Sequence, residues 1–348
     1  MADKNIADES LQALKSDLRE KMPRRLYVFF GEEQFLLNHY LGMLKKLLVD
    51  PLTESFNFHR FTSENFDMQS FADSVENLPM MAESTMVQVD DVDLFKLDES
   101  GRSRLCEIFA DIPTYCTVVL TYNTVEWKLD KRYAKLCEAV NNFAFQVQFP
   151  KQSQRDLISW ITRHFSARQK KITPELCAYL IEITDGTMTS LAGEISKISA
   201  YSGADTITRS DIDAVVEPVL DAVVFDMTNL LGNGKYGEAM VSLQKLLKMQ
   251  EEPIMLLGAI GGHFRNIAAA RTLLDHGKGA SDLMKLRGMR DFAARKTMDC
   301  AKLFSRESCR KAMELILETD YAMKTSFDDK KRLLEMLVLQ LGQVSAND

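Results

Sequence analysis

The chain has 348 residues, enough for two or three domains with cores of their own. A hydrophobic content of 46% beside 27% charged residues is that of a globular protein, and no apolar run is long enough to span a bilayer. A net charge of −7 argues against wrapping nucleic acid over the whole surface but leaves room for a local basic patch.

The opening residues Met1-Ala2-Asp3-Lys4-Asn5 are polar and carry no secretory pattern, so the expected location is the cytoplasm. The scattered cysteines Cys106, Cys116, Cys137, Cys177, Cys300 and Cys309 are then expected as reduced thiols, and without a C-x-x-C pair they form no zinc site. The spacing of Leu11, Leu14 and Leu18 predicts an amphipathic helix over 9–22. Apolar runs predict strands over 26–30, 56–61, 86–89, 117–122 and 144–148, and helical patterns lie between them at 35–49, 68–76 and 131–141. Strands alternating with helices indicate a doubly wound parallel sheet of about five strands. After Phe149-Pro150 the strand patterns stop. Helical patterns follow over 153–169, 173–184 and 188–202, with a short one opening at Thr208, and from Pro218 onward the pattern is wholly helical. The expected fold class is α/β plus all-α, with a sheet domain over 1–150, a small helical domain over 151–215 and a helical bundle over 216–348.

The turn after the first strand is Gly31-Glu32-Glu33-Gln34. A nucleotide-binding domain would place a glycine-rich loop ending in Gly-Lys-Ser/Thr here, whose backbone N–H groups and lysine hold phosphates. This turn has one glycine and two carboxylates, and the next lysine is Lys45. The frame of a nucleotide domain is present without its phosphate chemistry, which points to a domain kept for protein contacts. The acidic run Asp90-Asp91-Val92-Asp93 fails as a calcium loop, because Phe95 and Lys96 stand where an oxygen ligand and a glycine are needed. It reads equally as the carboxylate end of a former Mg²⁺ strand or as a solvated loop. The histidines fit no catalytic pattern, and there is no G-x-S-x-G elbow.

Pro79 bends the chain after the helix over 68–76, within Leu78-Pro79-Met80-Met81. On residue chemistry alone the plainer reading is that Leu78 and Met81 close the core beneath the next strand. The alternative is an exposed apolar wedge for a partner's groove. Residues 285–311 hold nine Lys/Arg against three acids, an excess that either attracts phosphate or simply solvates a helix face. Arg287, Arg290 and Lys296 are its candidate DNA contacts. Tyr321 and Phe327, among Lys324, Lys330, Lys331 and Arg332, either stack on bases or pack inside the bundle.

These residues match a family. Gly31-Glu32-Glu33-x-Phe35-Leu36, Leu78-Pro79-Met80-Met81 and Met86-Val87-Gln88-Val89-Asp90-Asp91-Val92-Asp93 stand in an order and spacing that resembles the bacterial clamp-loader wrench family, the delta subunits of DNA polymerase III. The match continues through Gly186-x4-Leu191-x2-Glu194-Ile195-x-Lys197, Glu252-Pro253-Ile254, Asp320-x3-Lys324 and Leu333-Leu334-Glu335-x-Leu337. The resemblance implies an AAA+-type doubly wound sheet domain, a three-helix lid and a C-terminal helical collar. It implies that Leu78, Pro79, Met80 and Met81 are a wedge that binds the beta sliding clamp, which reverses the plainer core reading. It further implies a role in opening the ring for loading onto primed DNA, beside gamma/tau and delta-prime subunits. Motor subunits hydrolyse the ATP, and nucleotidyl transfer belongs to the holoenzyme. No cofactor, metal, membrane or catalysis of the chain's own is expected, and Gly31, Glu32, Glu33 and Gln34 become the remnant of a phosphate loop. The zinc cysteine cluster and Ser-Arg-Cys finger of related motor subunits are missing, since Ser103-Arg104-Leu105-Cys106 and Ser308-Cys309-Arg310 are out of pattern. The wedge also uses Met80-Met81 where the commoner type has Leu-Phe. Two other classes stand beside this reading: a P-loop-type NTPase with an unusual phosphate loop, and a free-standing helical DNA-binding protein using residues 285–311.

Overall fold

The computed structural model describes residues 2–248, 252–289 and 291–346, and the chain divides into two units after Gln152. The first unit runs α1 (Ala2–Glu20), β1 (Leu26–Phe30), α2 (Gln34–Leu48), α3 (Glu54–Asn57), β2 (Phe58–Thr62), α4 (Met68–Glu76), β3 (Thr85–Asp90), α5 (Glu99–Ala110), β4 (Cys116–Tyr122), α6 (Ala134–Phe143) and β5 (Phe145–Gln148). The strands form one sheet in the order β2-β3-β4-β1-β5, with every pairing parallel.

Why these runs are apolar on both faces follows from the layers. Successive side chains of a strand point to opposite sides. Leu26 and Val28 of β1, Val87 and Val89 of β3, and Val118 and Leu120 of β4 enter one core with Phe71 and Val75 of α4, Leu105 and Ile108 of α5, and Leu136 and Val140 of α6. Their neighbours Tyr27, Phe29, Met86 and Val119 enter a second core with Leu14 of α1 and Leu37, Leu44 and Leu48 of α2. A parallel sheet covered on both sides needs such uninterrupted apolar strands. The doubly wound sheet expected from the sequence is the one observed. Two elements differ from expectation. Residues 54–57 are the helical turn α3, so β2 starts two residues later than the apolar run. The helix α5 is hidden in the sequence, because Ser100-Gly101-Arg102-Ser103 are weak helix formers that precede its buried Leu105, Ile108 and Phe109.

The second unit is helical: α7 (Gln154–Ser166), α8 (Pro174–Ile183), α9 (Met188–Tyr201), α10 (Arg209–Val215), α11 (Leu220–Gly232), α12 (Tyr236–Lys248), α13 (Pro253–Asp275), α14 (Ala280–Arg287), α15 (Asp291–Ala301), α16 (Arg306–Thr325) and α17 (Lys330–Ala346). Ser153, Thr173, Thr187 and Thr208 each cap the helix that follows through a side-chain oxygen, and Thr208 forms a capping box with Asp211. One core cluster runs from Val224 to Leu341 and, among the described residues, draws no buried member from α7–α10. Links between α7–α10 and the later helices are polar: Val219 N–H donates to Ile183 O at 2.9 Å, and Lys296 pairs with Glu182.

His263 of α13 lies edge-on to Phe225, with ring centroids 4.9 Å apart, and its Nε2 is enclosed without a hydrogen-bond partner among the described residues. Burial pushes its pKa down to about 4 from 6.5. Below 6.5 the unfolded chain takes up a proton that the folded chain refuses, so this residue's contribution to stability is lost as pH falls from 6.5 towards 4. Denaturant titrations should therefore show the wild type losing roughly 2 kcal/mol more than His263→Phe between neutral pH and the lower end of that window. Equal losses would show that the ring protonates freely in the folded state.

Candidate functional site

At the carboxyl end of β1, where a doubly wound sheet binds phosphate, the backbone is closed rather than open. Gly31 has φ +130°, and a Cβ there would sit 2.3 Å from the carbonyl oxygen of Phe149. Phe149 N–H donates to Phe30 O at 2.7 Å, and Glu33 N–H donates to Phe149 O at 3.0 Å. Gln34 Nε2 returns to Gly31 O at 2.9 Å. The glycine is thus required by the chain leaving β5, and the amide of Glu33 that could have met a phosphate is spent on that crossing. Glu33 is buried at the start of α2, where its carboxylate and that of Glu32 oppose any anion.

The acidic run is held by protein donors. Asp90, at the end of β3, accepts from Arg60 Nε at 2.6 Å, Gln88 Nε2 at 2.7 Å and Thr121 Oγ1 at 2.5 Å. Asp91 has φ +54°, and its Oδ1 accepts from the N–H groups of Asn123, Thr124 and Val125 at 2.7, 2.9 and 3.2 Å. Burial would raise the Asp91 carboxyl, but these backbone donors outweigh it and hold it below the ordinary 3.8. Asp93 caps a short 3-10 turn through Phe95 N–H and pairs with Lys96. Of the two sequence readings, a former Mg²⁺ position and a solvated loop, neither describes the result: Asp90 and Asp91 staple β3 to its neighbours. Among the described residues no group of three or more His, Cys, Asp or Glu could hold a metal ion.

The opposite end of β3 is different. The helix α4 ends at Glu76, and Leu78, Met80 and Met81 are 74%, 53% and 92% exposed, with Pro79 half-buried between them. The plainer expectation, that Leu78 and Met81 close the core, is overturned; Phe71, Ala72 and Val75 of α4 already fill that space. Their backbone is braced in three places. Tyr115 Oη donates to Glu76 O at 2.8 Å, and Ser84 Oγ donates to Leu48 O at 2.7 Å. Between these, Met80 N–H donates to Asn57 Oδ1 at 2.8 Å while Asn57 Nδ2 donates back to Met80 O at 2.9 Å. Asn57 was invisible to sequence reasoning, because inside Phe56-Asn57-Phe58 it reads as one polar residue of a strand. The signal was an asparagine, a residue of turns and caps, in a supposed strand. Leu52 and Phe56, just upstream of Asn57, are also exposed.

In the second unit the basic stretch is largely paired. Lys296 is half-buried against Glu182, with the rings of Phe225 and Phe292 each 5.2 Å from its Nζ. Arg306 meets Asp275, Lys302 meets Asp299, and Arg310 meets Glu307 and Glu314. Arg287 is exposed and donates to Asn266 Oδ1 at 2.8 Å, whereas Arg290 lies outside the described residues. Tyr321 and Phe327 do not pack inside the bundle. Phe327 projects fully into solvent from the turn between α16 and α17, and Tyr321 is 69% exposed.

A nucleotide-type sheet with its phosphate loop closed, an apolar loop displayed at the other end, and a helical second unit define a non-motor member of the clamp-loader class. The family model of the DNA polymerase III delta subunit matches residues 27–148, and a second model, of the C-terminal domain of the same subunit, matches 221–341. "DNA polymerase III subunit delta" of Bacillus subtilis (strain 168) is 28% identical over 323 residues, covering 91% of this chain and 92% of its own. "Probable DNA polymerase III subunit delta" of Aquifex aeolicus (strain VF5) is 20% identical, with 89% of each chain covered. The solved structure "Bacillus subtilis DNA clamp loader delta protein (YqeN)" superposes with a TM-score of 0.64 at 26% identity, covering 95% of this chain and 99% of that one. The chain belongs to the DNA polymerase III delta subunit family.

Proposed function

We propose that Leu78, Pro79, Met80 and Met81 form a wedge that enters a groove on the beta sliding clamp, and that the chain thereby helps to open the ring for loading onto primed DNA. The carrying observation is that three large apolar side chains stand exposed on a loop whose backbone is fixed by Asn57, Tyr115 and Ser84. Contiguous exposed apolar surface of this kind marks a protein contact. A short anchor of fixed shape concentrates binding energy in a few side chains. Unbranched methionines let the tip adapt to its groove.

The same reading takes residues 151–215 as a lid and 216–348 as a collar that assembles with gamma/tau and delta-prime subunits. The core running from Val224 to Leu341 supports that subdivision. The chain contributes no catalysis of its own, and ATP hydrolysis is left to the motor subunits. A second contact, to primed DNA within the assembly, is favoured by the exposure of Phe327 beside Lys330, Lys331 and Arg332. Arg287 is free to join it, Lys296 would first have to leave Glu182, and Arg290 completes the candidate set.

Replacing Met80 and Met81 with alanine together should cut clamp affinity by at least about tenfold, the equivalent of 1.4 kcal/mol. Because both side chains are exposed, the melting temperature should move by no more than about 2 °C. Retained affinity would end the wedge reading. Titration calorimetry of the isolated chain with Mg·ATP should give no binding heat, since Glu32 and Glu33 face the phosphate position and Gly31 is closed by Phe149; a micromolar isotherm would mean that a nucleotide site survives. Base stacking contributes about 1–3 kcal/mol per base, so Phe327→Ala should weaken primed-DNA binding by the assembled loader about fivefold or more while leaving subunit assembly intact. Unchanged DNA affinity would assign Phe327 another role.

A further inference from the structure

Asn57 is fully enclosed, although the two residues it serves most directly, Met80 and Met81, are exposed. Its amide meets the Met80 peptide as a neighbouring strand would. Oδ1 accepts from Met80 N–H at 2.8 Å and Nδ2 donates to Met80 O at 2.9 Å. The same Nδ2 reaches Thr53 Oγ1 at 2.9 Å, which ties the amide to the first turn of α3. Residues 77–84 belong to no helix or strand, so these bonds give the loop what a ladder gives a strand. The next residue, Met81, is held at φ +53°, a left-handed conformation that a long side chain rarely adopts without support from its surroundings.

We propose that Asn57 is a positioning residue for the wedge: by gripping both polar groups of the Met80 peptide it fixes, before any partner arrives, the direction in which Leu78, Met80 and Met81 project. The inference rests on the reading of this loop as the clamp-binding wedge. Ordering the loop then costs free energy at folding and not at binding, which is how preorganisation raises affinity. Exposed methionine side chains remain mobile at the tip while their peptide stays fixed.

The test compares four full-length proteins in titrations against the sliding clamp: wild type, Asn57→Ala, the Met80→Ala/Met81→Ala pair, and all three changes combined. Asn57→Ala should weaken clamp binding about tenfold and accelerate hydrogen exchange at the Met80 amide. In the Met80→Ala/Met81→Ala background it should weaken binding by less than about twofold, because no anchor is left to position. Wild-type affinity in Asn57→Ala, or the same loss in both backgrounds, overturns the proposal, the second outcome being what general destabilisation produces. If the methionine pair alone can be removed without loss of affinity, the wedge reading falls and this inference with it. If only Asn57→Ala binds normally, the wedge stands and the positioning role alone is lost. Asn57→Ser keeps a small polar group in the enclosed site and carries the same comparison should the alanine variant fail to fold.

Discussion

Everything in the first unit follows from the complete burial of β3. All six of its residues are enclosed, with β2 and β4 on its edges and helices over both faces. A strand in that position can present chemistry only at its two ends. In a parallel sheet those ends are different places, because every carboxyl end lies on one side and every amino end on the other. The carboxyl side is the one that a nucleotide would use, and here it is sealed by Phe149 crossing Gly31 and by Asp90 and Asp91 bonding across to their neighbours. The amino side carries the apolar loop. Its three braces come from Asn57, Ser84 and Tyr115, which immediately precede β2, β3 and β4. Three adjacent strands therefore fix the loop, and loss of phosphate chemistry at the far end leaves it undisturbed.

Strand positions and the doubly wound class were legible because a sheet buried on both faces leaves unbroken apolar runs between amphipathic helices, and α4 was read with its observed bounds. The start of β2 and the whole of α5 were not, since α3 is too short to show a period and α5 opens on Ser-Gly-Arg-Ser. The site was harder. A row of apolar residues looks the same whether it closes a core or faces water, and Leu78-Pro79-Met80-Met81 contains no polar residue to mark a solvent face. Only the family resemblance favoured exposure, and the structure has the loop exposed because α4 already fills the space beneath β3. Asn57 left no trace, because its partner is a backbone 23 residues away.

The basic stretch shows the same limit for charge. Counting within 285–311 leaves a surplus, yet Glu182, Asp275 and Glu314 lie outside that window and meet Lys296, Arg306 and Arg310 in space. Helical spacing places further acids one turn away, as with Arg295 and Asp291 or Lys302 and Asp299. Most of these pairs are solvent-exposed and individually worth under about 1 kcal/mol, so they hold little against a phosphate. Their effect is to spread the positive potential rather than to remove it. The exposed aromatic Phe327 is the sharper feature of this unit, because no internal packing accounts for a ring left wholly in water.

The two units thus display apolar groups by contrasting means. Phe327 is a rigid ring on a short turn, with little side-chain entropy to lose when something stacks on it. At the wedge the rigidity lies in the backbone, which Asn57 and the left-handed Met81 define, and the side chains are flexible. Methionine loses more rotamer freedom on burial than leucine, and a tip of Met80 and Met81 on a loose loop would carry both penalties at once. A fixed peptide removes the larger of them, since ordering backbone costs about 1–2 kcal/mol per residue. The Met-Met tip is therefore compatible with a short anchor only because the chain beneath it is held, which makes the enclosed asparagine a condition of the sequence above it.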